Sequence, residues 1–185
     1  MNTPKFYREL EGDNLRGDSD EGLDSQWSSP KTETILEANG IPIGKAEKAR
    51  IRNNDIDSLN LFCMLAIKSL LATPIIDPRN FDFGDTFVLI DDYNIPRFFE
   101  RVKKAAEKEN IKWQGKFVEY VNNDYNGEMG VFKKFKGYEY QSEFRIIVWP
   151  GFDKLYRLNI GDISDISCTG RAKDLATLRI GKNFG

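Results

Sequence analysis

The chain holds 185 residues, 40% of them apolar and 30% charged, with a formal net charge of −2 and no histidine. This is the balance of a soluble globular protein able to bury one sizeable core, and it argues against broad electrostatic attraction to nucleic acid or an anionic membrane. Without histidine, Ser-His-Asp and Cys-His catalysis and the histidine-containing zinc patterns are excluded, so acid–base chemistry falls to Asp, Glu, Lys, Tyr or a cofactor.

No apolar run reaches the length of a membrane span, and residues 1–5 lack the apolar stretch of a signal peptide. Cys63 and Cys168 lie apart and form no CxxC unit, so they read as reduced core thiols of a cytoplasmic protein. The expectation is a single domain over 1–185, with a polar loop at 11–30.

In chain order, residues 5–10 read as a short first strand. The acidic segment 11–24, with Arg16-Gly17-Asp18 and Glu21-Gly22, is too polar to bury. Residues 32–38 and 41–46 flank Asn39-Gly40, a strong hairpin signal, and 49–52 continue the second strand. Asn53-Asn54-Asp55 reads as a turn. Residues 59–71 form the most apolar run, whose periodicity fits a buried strand, a helix, or a strand turning into a helix; the favoured reading is a buried strand over 59–64 and then a short helix.

Residues 77–85 are rich in turn formers, and 86–90 make a short strand. Asn94-Ile95-Pro96 opens a helix whose Ile95, Phe98, Phe99, Val102 and Ala106 recur at helical spacing. Strands are expected at 116–121, 130–135, 155–160 and 163–168, and a short helix at 171–178. Many strands, few helices and no regular βαβ alternation make the class α+β, with mainly antiparallel sheets.

Residues 138–149, closed by Gly137 and by Pro150-Gly151, read as the central strand. Alternation places Glu139, Gln141, Glu143, Arg145, Ile147 and Trp149 on one face, with Tyr138, Tyr140, Ser142, Phe144, Ile146 and Val148 on the other. A strand that is apolar at one end and ionisable at the other suits the wall of a cleft. It also suits a solvent-facing strand with a Glu143–Arg145 surface pair.

Phosphate-binding glycine loops are absent. Asp18, Asp20 and Glu21 match no complete calcium loop and read as structural or solvated carboxylates, so no metal is expected. Lys133, Lys134 and Lys136 alternate with Phe132 and Phe135, which reads as an amphipathic strand with its lysines outward rather than a nucleic-acid patch.

The Gln141-Ser142-Glu143 triplet resembles the Q-x-E motif of ADP-ribosyltransferases, in the branch whose motif set is arginine, serine and glutamate. Tyr7-Arg8 resembles the opening arginine of that branch, and Ser58-Leu59-Asn60 stands, with a clear departure, where a Ser-Thr-Ser-like element belongs. Early Tyr-Arg, Arg-Gly-Asp…Glu-Gly and Tyr-x-Tyr-Gln-x-Glu-x-Arg elements are also similar to small bacterial and phage-encoded proteins.

The resemblance implies an ADP-ribosyltransferase-like α+β fold that consumes NAD as substrate, as a transferase or a glycohydrolase. It makes Glu143 the catalytic carboxylate and Gln141 the acceptor-orienting group. Arg8 or Arg16 would be the pyrophosphate contact, Ser58 a further cofactor contact, and Tyr140 or Tyr138 a stacking group. The acceptor could be a host protein, nucleic acid, a small molecule or water. The alternative is a non-catalytic phage or prophage protein that grips a nucleotide or a host protein.

Overall fold

The computed structural model describes residues 1–10, 17–28, 34–46, 48–67 and 76–177. The expected helix after residue 64, the tail beyond 177 and Arg16 lie outside the described residues. The architecture is mixed α and β, and among the described strands six of the seven pairings are antiparallel.

The chain starts with a helix rather than the expected strand, α1 (Pro4–Arg8). Thr3 caps it by accepting from the Phe6 amide, and Pro4 fills the first turn where its missing N–H costs nothing. Strand β1 (Ser25–Ser28) emerges from the segment expected to be loop. Strands β2 (Thr34–Ala38) and β3 (Ile41–Ala46) make the expected hairpin, turning through left-handed Asn39 and Gly40. Strand β4 (Lys48–Ile51) pairs with β1. The expected turn at Asn53 is a single helical turn, α2 (Asn54–Asp57), capped by the Asn53 side chain.

Strand β5 (Asn60–Leu65) follows, then a 3₁₀ helix (Pro78–Phe83) and strand β6 (Thr86–Leu89). The expected amphipathic helix is α3 (Ile95–Lys108), which buries Phe98, Val102, Ala105 and Ala106. The strand expected over 116–121 is two, β7 (Lys112–Phe117) and β8 (Glu119–Val121). Short β9 (Gly127–Glu128) joins β1, and β10 (Lys133–Phe135) runs parallel to β8. The rest is a 3₁₀ helix (Lys136–Gln141), strand β11 (Glu143–Trp149), strand β12 (Cys168–Arg171) and a last 3₁₀ helix (Ala172–Thr177).

Residues 155–167 hold no strand; they pack as irregular chain, with Leu158, Ile160, Ile163 and Ile166 against the α3 side of the sheet. The strand expected over 138–149 begins only at Glu143. Its first half winds into the 3₁₀ helix, ended by Ser142 in the left-handed region at φ 39°, whose amide donates back to Glu139.

β11 is the middle strand of the sheet β5-β11-β7 and is covered on both faces. Phe144 and Ile146 pack with Phe98 and Val102 of α3 and with Ile166. Ile147 packs on the opposite side with Leu61 and Val131, and Cys63 and Trp149 join that cluster. Glu143 and Arg145 share this second face, at the end of the strand nearest the 3₁₀ helix. Cys168, expected in the core, is exposed.

Candidate functional site

Six polar side chains are buried together at the start of β11: Asp18, Glu21, Lys134, Gln141, Glu143 and Arg145. Arg145 is the hub. Its side chain is 1% exposed, and its Nη1 and Nη2 donate to the two oxygens of Glu21 at 2.8 and 2.6 Å. Nη1 also donates to the Val131 carbonyl, and Nη2 to Oε2 of Glu143 at 3.2 Å. Such a two-pronged pair is the strongest form of charged hydrogen bond.

Lys134 closes the cluster. Its ammonium donates to Oε1 of Gln141 at 2.7 Å and lies 3.3 Å from Asp18 Oδ2 and 3.4 Å from Glu143 Oε2. The sequence pattern turned Lys134 outward, yet the structure buries it. Burial alone would lower its pKa, but Glu143, Glu21 and Asp18 together raise it, so Lys134 is a cation at any physiological pH.

Local chain geometry sets each member in place. The turn carrying the acids hangs on α1: the Asp18 amide donates to the Tyr7 carbonyl, and the Glu21 amide to the Asp18 carbonyl. Arg8 Nη1 donates to the Glu21 carbonyl at 3.0 Å. Gln141 and Glu143 flank left-handed Ser142, which is pinned to β5 by an amide–carbonyl bond from Ala66 and by its own hydroxyl on the Ala66 carbonyl. The Glu143 amide donates to the Tyr120 hydroxyl at 2.9 Å.

Burial tends to raise the pKa of Glu143, but Arg145 and Lys134 outweigh it and hold the carboxyl down at about 2. Both cations approach the same oxygen, Oε2. The neighbouring Cys63 thiol hydrogen-bonds the Glu143 carboxylate, and burial together with that negative charge pushes the thiol well above its ordinary value. Cys63 is thus a poor nucleophile here.

A cavity of about 350 Å³ opens over this cluster. Its lining is polar at Tyr7, Glu21, Lys134, Gln141, Glu143 and Arg145 and apolar at Met64, Leu65, Phe83, Phe87 and Leu175. A volume of that size, apolar with a few convergent polar groups, is the ordinary form of a small-molecule site.

Of the residues singled out in the sequence, the structure brings Gln141 and Glu143 to this cavity. Tyr140 stands beside it: the Arg79 guanidinium lies 3.7 Å above its ring, and its carbonyl accepts from the cavity-lining Asn80. Tyr138 lies under Lys134 and hydrogen-bonds Asp18. Arg8 is engaged elsewhere, in a two-pronged pair with Asp57 at 3.0 and 2.7 Å. Ser58 ends α2 with its hydroxyl on the Asp55 carbonyl, away from the cavity.

Asp18, Glu21, Lys134 and Cys63 are the residues that sequence reasoning did not assign to the site. Arg145 was visible, since it shares a strand face with Glu143. Comparison of the chain with protein-family models, with curated proteins and with solved structures finds no match in any of the three.

Proposed function

We propose that the protein cleaves the nicotinamide–ribose bond of NAD, as an ADP-ribosyltransferase or an NAD glycohydrolase with an ADP-ribosyltransferase-like fold. One observation carries this reading: Glu143 is a fixed, fully ionised carboxylate on the wall of a ligand-sized cavity, held from one side by Arg145 and Lys134. Breaking a glycosidic bond builds positive charge on the ribose, and a preorganised carboxylate stabilises that charge more in the transition state than in the ground state. Both cations make their nearest approach to Oε2, and the carboxylate lines the cavity in which the sugar would sit.

Gln141 stands beside Glu143 as the acceptor-orienting group, its amide oxygen fixed by Lys134. In this reading neither Arg8 nor Ser58 touches the dinucleotide. The experiment is nicotinamide release from NAD by the protein and by its Glu143→Gln variant, with release expected only from the former.

A second reading is favoured by the engagement of Arg8 and Ser58 away from the cavity. Here the protein is a non-catalytic factor that grips a nucleotide or a host protein through the same cavity. Tight binding of NAD with no release of nicotinamide would select it.

A further inference from the structure

The structure gives the two residues of the Tyr7-Arg8 pair different work. Successive side chains on a helix point about 100° apart. From α1, Arg8 reaches Asp57 while Tyr7 lines the cavity. The Tyr7 ring is firmly held. It packs against Leu61, Val131 and Ile147 and meets Phe6 edge-on with ring centroids 5.3 Å apart, and the Tyr7 carbonyl accepts from the Asp18 amide.

The hydroxyl on that ring takes no part in holding the fold. Among the described residues it makes no hydrogen bond, although the hydroxyl of a tyrosine in a protein interior ordinarily finds a partner. Tyr7 is half-buried, so the group is not sealed in. The residues whose charges act on it show where it lies: Cys63, Glu143, Glu21 and Arg145, each of which also lines the cavity.

The cations around it are already engaged. Arg145 gives Nη1 and Nη2 to Glu21, Glu143 and the Val131 carbonyl, and Lys134 reaches Gln141, Asp18 and Glu143. Burial above all, then Cys63, Glu143 and Glu21, push the Tyr7 phenol above its ordinary value, so it stays protonated and is a neutral donor. A neutral donor beside the carboxylates of Glu143 and Glu21 suits an uncharged oxygen better than a phosphate.

We propose that Tyr7 is a substrate-binding residue of this site, its hydroxyl donating to an uncharged oxygen of the ligand held beside Glu143. The inference rests on the NAD reading for its substrate. It gives the binding role to the neighbour of Arg8, a residue to which the resemblance assigns none. In the free protein the hydroxyl goes without a protein partner, at a small cost in stability, and the ligand supplies the missing acceptor.

Tyr7→Phe tests this, because it keeps the ring and its packing and removes only the hydroxyl. The variant is expected to melt no lower than the wild type, while kcat/KM for nicotinamide release from NAD falls about tenfold, the size of one hydrogen bond. A structural role for the hydroxyl would lower the melting temperature as well. A variant that melts clearly below the wild type, or one with unchanged kcat/KM, overturns the inference. Both results leave the NAD reading standing, since release by the wild type is measured in the same assay.

If the wild type releases no nicotinamide, the cleavage reading falls, and NAD becomes an inert probe to titrate calorimetrically into both proteins. Binding about tenfold weaker to Tyr7→Phe then upholds the Tyr7 contact. Equal binding, or binding to neither protein, overturns it.

Discussion

Glu143 and Asp18 both lie against one ammonium, that of Lys134, yet burial and charge push them in opposite directions. Glu143 has two cations on one oxygen and is held at about 2, below its ordinary 4.5. Its ionised form therefore stabilises the fold fully above pH 4.5, and that contribution is lost as pH falls from 4.5 toward 2. Asp18 has the opposite sign: its pKa is raised above 3.8, so its ionisation at neutral pH disfavours the fold, and the loss is recovered as pH falls through its folded-state pKa. Thermal melts should show this as a contrast. The stability gap between wild type and Glu143→Gln should narrow between pH 4.5 and about 2, whereas Asp18→Asn should match or exceed the wild type at neutral pH. A Glu143→Gln gap that stays constant over that range would contradict the assignment of the ion pairs.

Glu21 is a sharper case, because it occupies both outer nitrogens of a guanidinium that has almost no access to water. Glu21→Ala leaves that charge uncompensated and is expected to cost about 3–5 kcal/mol, read from urea denaturation. A cost under about 1 kcal/mol would mean that the pair is solvated. Alternation along β11 made the Glu143–Arg145 relation legible in the sequence. Lys134 was not legible: three carboxylates draw it inward, and two of them, Asp18 and Glu21, stand more than a hundred positions away. No local period records such a partner.

At the scale of elements, the parts read correctly are those whose pattern is local. The 3.6-residue apolar stripe of α3 and the Asn39-Gly40 turn both carry their own signal, and both formed where expected. The segment 136–141 shows the reverse. Its aromatic residues favour a strand, but Asn80 takes the Tyr140 carbonyl and Lys134 takes Gln141, and the chain winds into a 3₁₀ helix instead. Tertiary contacts override a modest β preference. That winding is what sets Gln141 and Glu143 about one ammonium, so the error in the strand and the geometry of the site have a single cause. The start of the chain failed for another reason: the Thr3-Pro4 cap is a helix signal only two residues long.

One glycine at this scale fixes how closely two segments pass. A Cβ on Gly151 would fall 1.6 Å from the Ser58 carbonyl oxygen and 2.7 Å from Leu59 Cα, both backbone atoms that no side-chain rotation can clear. Gly151→Ala should therefore cost more than about 2 kcal/mol in denaturant unfolding. A neutral effect would show that the approach between the end of β11 and the start of β5 is looser than described.

At the scale of the molecule, the near-neutral net charge conceals a concentrated one. The formal charge of the whole chain is only −2, yet five ionised or ionisable groups are gathered in the interior beside a cavity. A fold reaches stability more simply with apolar residues in such a place, since replacing buried ion pairs by packed hydrophobic groups is often neutral or stabilising. Polar groups buried beside a cavity, with one carboxylate held strongly acidic, are the pattern of a working site. Among the described residues no helix is long and apolar enough to cross a membrane.

The most direct measurement is nicotinamide release from NAD by the purified protein, alone and with cell lysate as a source of acceptors, run beside Glu143→Gln at matched folded concentration. Release by the wild type is expected, with a loss of at least about a hundredfold in the variant, the size that follows when a preorganised electrostatic group is removed. Release that is unchanged in Glu143→Gln, or no release by the wild type under either condition, would contradict it.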